Sequence, residues 1–177
     1  MNWIKNFLGR SKNGRSDQQQ VPQNDKPESA QSKAFEVMLD EGVTYGEAIA
    51  KVTDGANLVD GKHTWELAGS HKHDINAMKR CCDAEIKTYR ITGDSPAPYY
   101  FLLVAILSRK QKNYAQEVQY CEHYLDLVRE CYKRDDMPLE TALKERRLNA
   151  TDSTIYERLP KARELLEKSK NISFGGD

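Results

Sequence analysis

The chain has 177 residues, 38% of them hydrophobic and 31% charged, with 27 basic side chains against 27 acidic ones. No apolar run approaches the roughly 20 residues that a membrane-spanning helix needs. A tail set aside, about 140 residues remain, enough for one soluble domain to bury roughly 68–70% of its unfolded surface without a metal or disulfide.

The charge balance conceals an asymmetry. Residues 1–33 hold six cations and three anions, a balance of +3, which leaves −3 for the remainder. A mildly acidic body argues against a nucleic-acid footprint. The four cysteines, Cys81, Cys82, Cys121 and Cys131, have no CxxC spacing, and the adjacent pair would bond only with strain. The apolar part of the N-terminus is too short for a secretory signal and lacks a small-residue cleavage site. Free, mostly buried thiols in a reducing cytoplasm are therefore expected.

In residues 1–10, Trp3, Ile4, Phe7 and Leu8 fall at helical i, i+1, i+4, i+5 spacing, followed by Lys5, Arg10, Lys12 and Arg15 around the stripe. An apolar stripe with basic flanks suits a helix lying weakly and reversibly on an anionic membrane surface. The bland alternative is a tail that docks on its own domain or stays disordered. Residues 11–32 are mostly Ser, Asn, Asp, Gln, Lys and Pro, with Val21 as the only large apolar residue, a composition that predicts a flexible tether.

An all-helical domain is expected over residues 33–170. Phe35, Met38 and Leu39 recur at i, i+3, i+4 and predict a helix stopped by Gly42. Thr44 and Glu47 have capping-box spacing ahead of a short helix carrying Ala48, Ile49 and Val52. Residues 55–69, with Leu58, Val59, Trp65 and Leu67, read as a loop or a short helix. Ser70 is the expected cap of the next helix, with Asp74 near its positive end. Ile75, Met78, Cys82, Ile86 and Tyr89 then form one apolar face. Gly93 to Pro96 ends it, with Ser95 as cap and Pro96 at the first position of the following helix.

Tyr99 to Leu107 is apolar throughout and predicts a helix buried nearly all round. A polar turn at Ser108 to Asn113 leads into the most regular segment of the chain. Tyr114, Val118, Cys121, Leu125, Val128 and Tyr132 make one stripe, and Tyr120, Tyr124, Leu127 and Cys131 a second, about 100° round the axis. Asp135 to Pro138 signals a stop and a start. Leu139, Ala142 and Leu143 mark a short helix, and Thr154 with Glu157 has capping-box spacing before Leu159, Ala162, Leu165 and Leu166. Pro160 requires that the last helix begins near it or kinks there. Residues 171–177 are glycine-rich and expected to be loose.

The hairpin from Pro98 to Cys131 resembles a tetratricopeptide repeat (TPR). Phe101, Val104 and Ala105 match the apolar and small positions of the first repeat helix, and Tyr114 the aromatic that opens the second. Cys121 and Leu125 match later packing positions. Ser108 departs from the pattern where a large aromatic is usual, as does Glu117 where a small residue is usual. The fold class expected is thus all-α, a TPR-like antiparallel helical stack with a flexible N-terminal tail. The resemblance implies a groove for a protein or peptide partner, a second copy included, lined by Tyr99, Leu102, Ile106, Arg109 and Lys110.

Other chemistry finds little support in the sequence. His63, His71 and His73 lack paired ligand spacing and read as surface histidines. Cys121 and His123 are two apart on one helix and diverge. No glycine-rich phosphate loop, GxSxG turn or HExxH occurs. The sequence therefore predicts a non-enzymatic interaction module with no cofactor, metal or nucleic-acid partner. The alternative is a peripheral factor on the inner face of a membrane, anchored by Trp3, Ile4, Phe7 and Leu8.

Overall fold

A computed structural model describes residues 29–134, 138–144 and 149–174. The Trp3–Leu8 stripe, the tether up to residue 28, the Asp135–Met137 signal and residues 175–177 lie outside them. The described part is all-α apart from one two-residue-stranded hairpin. Among these residues, no helix is long and apolar enough to cross a membrane.

Helix α1 (Ala30–Glu41) begins ahead of the expected Lys33 because Ser29 caps it, its hydroxyl accepting the Ser32 N–H at 3.1 Å. Gly42 ends it in the left-handed region, φ 66°. Helix α2 (Tyr45–Val52) carries the expected capping box: Thr44 Oγ1 accepts the Glu47 N–H at 3.4 Å and Glu47 Oε2 accepts the Thr44 N–H at 2.7 Å. The two helices share a small core of their own, built on Ala34, Ala48 and Ile49 with Val37, Met38, Val43 and Val52 around it. The apolar face expected for α1 is rotated. Ala34 and Ala48 are fully buried and let the helices approach closely, which turns the neighbouring Phe35 and Leu39 outward.

Residues 55–69 contain both a turn and a helix. Strands β1 (Leu58–Val59) and β2 (Lys62–His63) pair antiparallel around Asp60 and Gly61, both at positive φ (52° and 75°), as a tight hairpin requires. Helix α3 (Thr64–His71) follows, burying Leu67 and Ala68 and leaving Trp65 exposed. Ser70 lies inside α3 and is not a cap. Helix α4 (Ile75–Thr92) is capped by Asp74, whose Oδ1 accepts the N–H groups of Asn76 and Ala77 at 2.9 and 3.2 Å. A carboxylate taking two orphan amides at a positive helix end outcompetes a hydroxyl four residues upstream. Besides the expected face, α4 buries Ala77, Cys81 and Ala84, with both α3 and α5 packed on it.

Helix α5 (Pro98–Lys110) starts two residues later than expected, with Ala97 as cap and Pro98 at its first turn. No side chain caps the first-turn amides there, but Glu85 of α4 anchors the cap residue itself, its Oε2 accepting the Ala97 N–H at 3.1 Å. After Lys112 at φ 58°, Asn113 Oδ1 receives the Gln116 N–H at 3.1 Å and opens α6 (Tyr114–Arg134). On its two stripes, Val118, Cys121, Leu125 and Val128 are buried, as are Tyr124 and Leu127.

Helix α7 (Leu139–Lys144) seats Leu139 against the core, and α8 (Ala150–Phe174) closes the fold. The cap of α8 is Asn149 rather than Thr154: Asn149 Oδ1 accepts from Thr151 and Asp152, and Asp152 Oδ2 accepts the Asn149 N–H at 2.8 Å. The helix continues through Pro160 and over residues 171–174, where a loose tail was expected. Pro160 and Tyr156, the residue whose carbonyl it deprives of a donor, are both exposed, on the side of the helix where a freed carbonyl is least costly. The main core is formed by α4, α5, α6 and α8, with α8 packed on both α5 and α6.

The reassigned cap is directly testable. Asp74→Ala is expected to cost about 1 kcal/mol in urea unfolding, and Ser70→Ala a few tenths at most. The reverse order would restore Ser70 as the helix start.

Candidate functional site

Helix α5 is the most enclosed element, packed against α4, α6 and α8. One side of it stays partly open, and the i, i+3, i+4 rule decides which. Tyr99, Leu102, Leu103, Ile106 and Lys110 follow one another along this side. Tyr99 is 46% exposed, the two leucines and Ile106 are half-buried, and Lys110 is exposed. Leu102 and Leu103 also touch the core, which fixes their position. The Tyr99 ring sits edge-on to the buried Tyr100, with centroids 5.6 Å apart. Leu103 was not among the residues named from the sequence, although its spacing from Tyr99 and Ile106 carries the signal.

Arg109, at the end of this line, is directed inward to Glu117. Glu117 is fully buried at the start of α6, between Arg109 of α5 and Arg158 of α8. Arg109 Nε donates to Glu117 Oε2 at 2.9 Å. Arg109 Nη2 and Arg158 Nε lie 2.7 and 2.6 Å from Oε1. These last two contacts are ion pairs by distance, but their N–H groups are not aligned for hydrogen bonds. One negative charge is thus shared by two positive ones where helices α5, α6 and α8 meet. Beside it, Ser108 is fully buried and donates to Gln116 Oε1 at 3.1 Å. The two departures from the repeat pattern, Ser108 and Glu117, therefore lie together at one polar junction.

Two further polar junctions fix the helices. Glu85 accepts from Thr64 Oγ1 at 3.0 Å as well as from Ala97, and burial raises its carboxyl above the ordinary value. Burial also pushes the neighbouring Tyr100 phenol up to about 12. Buried Tyr124 donates to Asp152, which ties the middle of α6 to the first turn of α8. Burial, then this bond, raises the Tyr124 phenol strongly.

The thiols fit packing. Burial raises Cys81 to about 11, Cys121 to about 12 and Cys82 further, so these sulfurs stay protonated. His63 stacks on Trp65 at 6.1 Å, His71 Nδ1 lies 2.7 Å from Ser70 Oγ, and exposed His123 sits edge-on to Phe101. Among the described residues no three His, Cys, Asp or Glu side chains converge as metal ligands. A shallow groove of about 280 Å³, edged by Leu58, Val59, Asp60, Arg80, Asp83 and Lys87, has mixed charge, and Arg80 and Asp60 pair with each other across it at 2.5 Å. Comparison with protein-family models, curated proteins and solved structures finds no match to this chain.

Removing the shared anion leaves two cations facing each other in a largely dry junction. Glu117→Ala is expected to cost about 3–5 kcal/mol by chemical denaturation, the range for breaking a buried pair. A loss under about 1 kcal/mol would mean that the junction is solvated like a surface pair. Glu85 gives the opposite sign. Its raised value means that its contribution is fully present below 4.5 and is lost as pH rises through the folded value. Glu85→Gln is therefore expected to gain stability relative to the unmodified chain as pH climbs from 4.5 toward about 7, read from paired urea titrations.

Proposed function

We propose that the chain is a non-enzymatic protein- or peptide-binding module whose contact surface is the open side of α5. The observation that carries this reading is the line Tyr99, Leu102, Ile106 and Lys110, partly open on a helix otherwise enclosed by three others. Apolar side chains held by a core beneath and reachable from outside lose little freedom on binding, and a tyrosine adds area at low entropic cost. Arg109 enters as a positioning residue: its guanidinium is engaged by Glu117 and fixes the end of the line. The resemblance of α5 and α6 to a tetratricopeptide hairpin belongs to the same proposal, supported by the packing of α8 on both helices and of α4 on α5.

The test is capture from the native lysate with the full chain as bait. A stoichiometric partner should be recovered, and Tyr99→Ala with Ile106→Ser should weaken its binding by about tenfold or more, the effect of losing interface anchors. Lys110→Glu should weaken a partner of acidic character and slow its association. Sedimentation of the bait alone distinguishes self-association. Binding indifferent to all three substitutions would place the contact elsewhere on the molecule.

A further inference from the structure

The outer face of α1 is apolar and open. Phe35 and Leu39, one turn apart, are 53% and 64% exposed, while the opposite side of the helix holds α2. Glu36 and Asp40 stand beside them, both exposed. An apolar i, i+4 pair flanked by acids is one half of a helix–helix contact. The chain itself contains the other half. Trp3 with Phe7 and Ile4 with Leu8 repeat the i, i+4 spacing, and Lys5, Arg10, Lys12 and Arg15 bring the opposite charge.

The connection has the right length. Twenty residues, 9–28, separate Leu8 from Ser29, and a polar chain of that length spans about 25 Å root-mean-square. Phe35 and Leu39 lie six and ten residues beyond Ser29, about 9 and 15 Å along the helix. A tether about twice as long as the distance it bridges still gives an effective concentration of about millimolar. The other open apolar line, on α5, ends in Lys110 and carries the same sign of charge as the segment.

We propose that residues 3–8 dock in cis on the α1 face made by Phe35 and Leu39, with Lys5 and Arg10 directed toward Glu36 and Asp40. Docked there, Trp3 and Phe7 are withheld from any other surface until something displaces them.

The full chain carrying Trp65→Phe has Trp3 as its only indole, so Trp3 fluorescence reads the docking directly. Expected are a blue-shifted emission, restricted quenching by acrylamide, and no dependence on protein concentration. Phe35→Lys with Leu39→Lys in that background should raise the quenching constant about twofold or more as the docked population is lost. Both positions are exposed, so far-UV circular dichroism should not change. Lys5→Glu with Arg10→Glu, which leaves the helical domain untouched, should give the same release and serves if the α1 variant unfolds. Solvent-like emission from Trp3 in the starting chain, or quenching that neither pair of substitutions alters, would overturn the proposal. Protection that grows with protein concentration would overturn docking in cis in favour of a second copy.

Discussion

Glu117 is the constraint on which the main helical core depends. A carboxylate with no exposed surface cannot be ionised there without local cations, and Arg109 and Arg158 reach it from two different helices. Desolvation of three charges offsets much of their attraction, so the group adds little net stability compared with an apolar filling. Its effect is on geometry. Arg109 holds the carboxylate by one aligned hydrogen bond from Nε and a close ion-pair contact from Nη2, and Arg158 adds a second ion-pair contact from α8. The end of α5, the start of α6 and the middle of α8 are held in one arrangement, and alternatives that separate them would strand a charge.

The same logic recurs at the other helix junctions. Glu85 of α4 serves both Thr64 at the start of α3 and Ala97 at the start of α5. Tyr124 reaches Asp152, which also completes the cap of α8. Glu85 and Asp152 thus each take up an amide at a helix start, Ala97 and Asn149, while also tying that start to a second helix or side chain. Apolar stripes bring the helices together, and these few polar contacts tie their ends to one another.

This division explains what could be read from the sequence. Helices α4 and α6 were legible because their apolar stripes run for four or more turns. The capping box of Thr44 and Glu47 was legible because both partners are local. Starts tied to distant partners were not. Ser95 looked a better cap than Ala97 until Glu85, twelve residues upstream, was placed beside it. Arg158 is 41 residues from Glu117, and no local pattern connects them. A glutamate four residues before Cys121 on the apolar stripe was the one visible anomaly. For α1, Phe35 and Leu39 drew the assignment by their size, but close approach of two alanines decided which face turned inward. The proposed contact surface is legible to the same degree: its line along α5 follows from helical spacing, whereas the inward commitment of Arg109 required the fold.

Helices α1 and α2 bury their apolar residues against each other, in a core separate from the main one. Polar contacts that bind this pair to the body converge on Asp94, which accepts from Tyr45 Oη at 2.9 Å and from the Gln31 amide. Asn57 adds a bond to the Gly46 carbonyl at 2.8 Å. A unit with its own core and few ties opens as a unit, with a free energy below that of global unfolding. Amide hydrogens of α1 and α2 should therefore exchange together and earlier than those of α4, α5 and α6. Any contact that covers α1 would slow that exchange in α1 and α2 and leave the exchange of the main core unchanged.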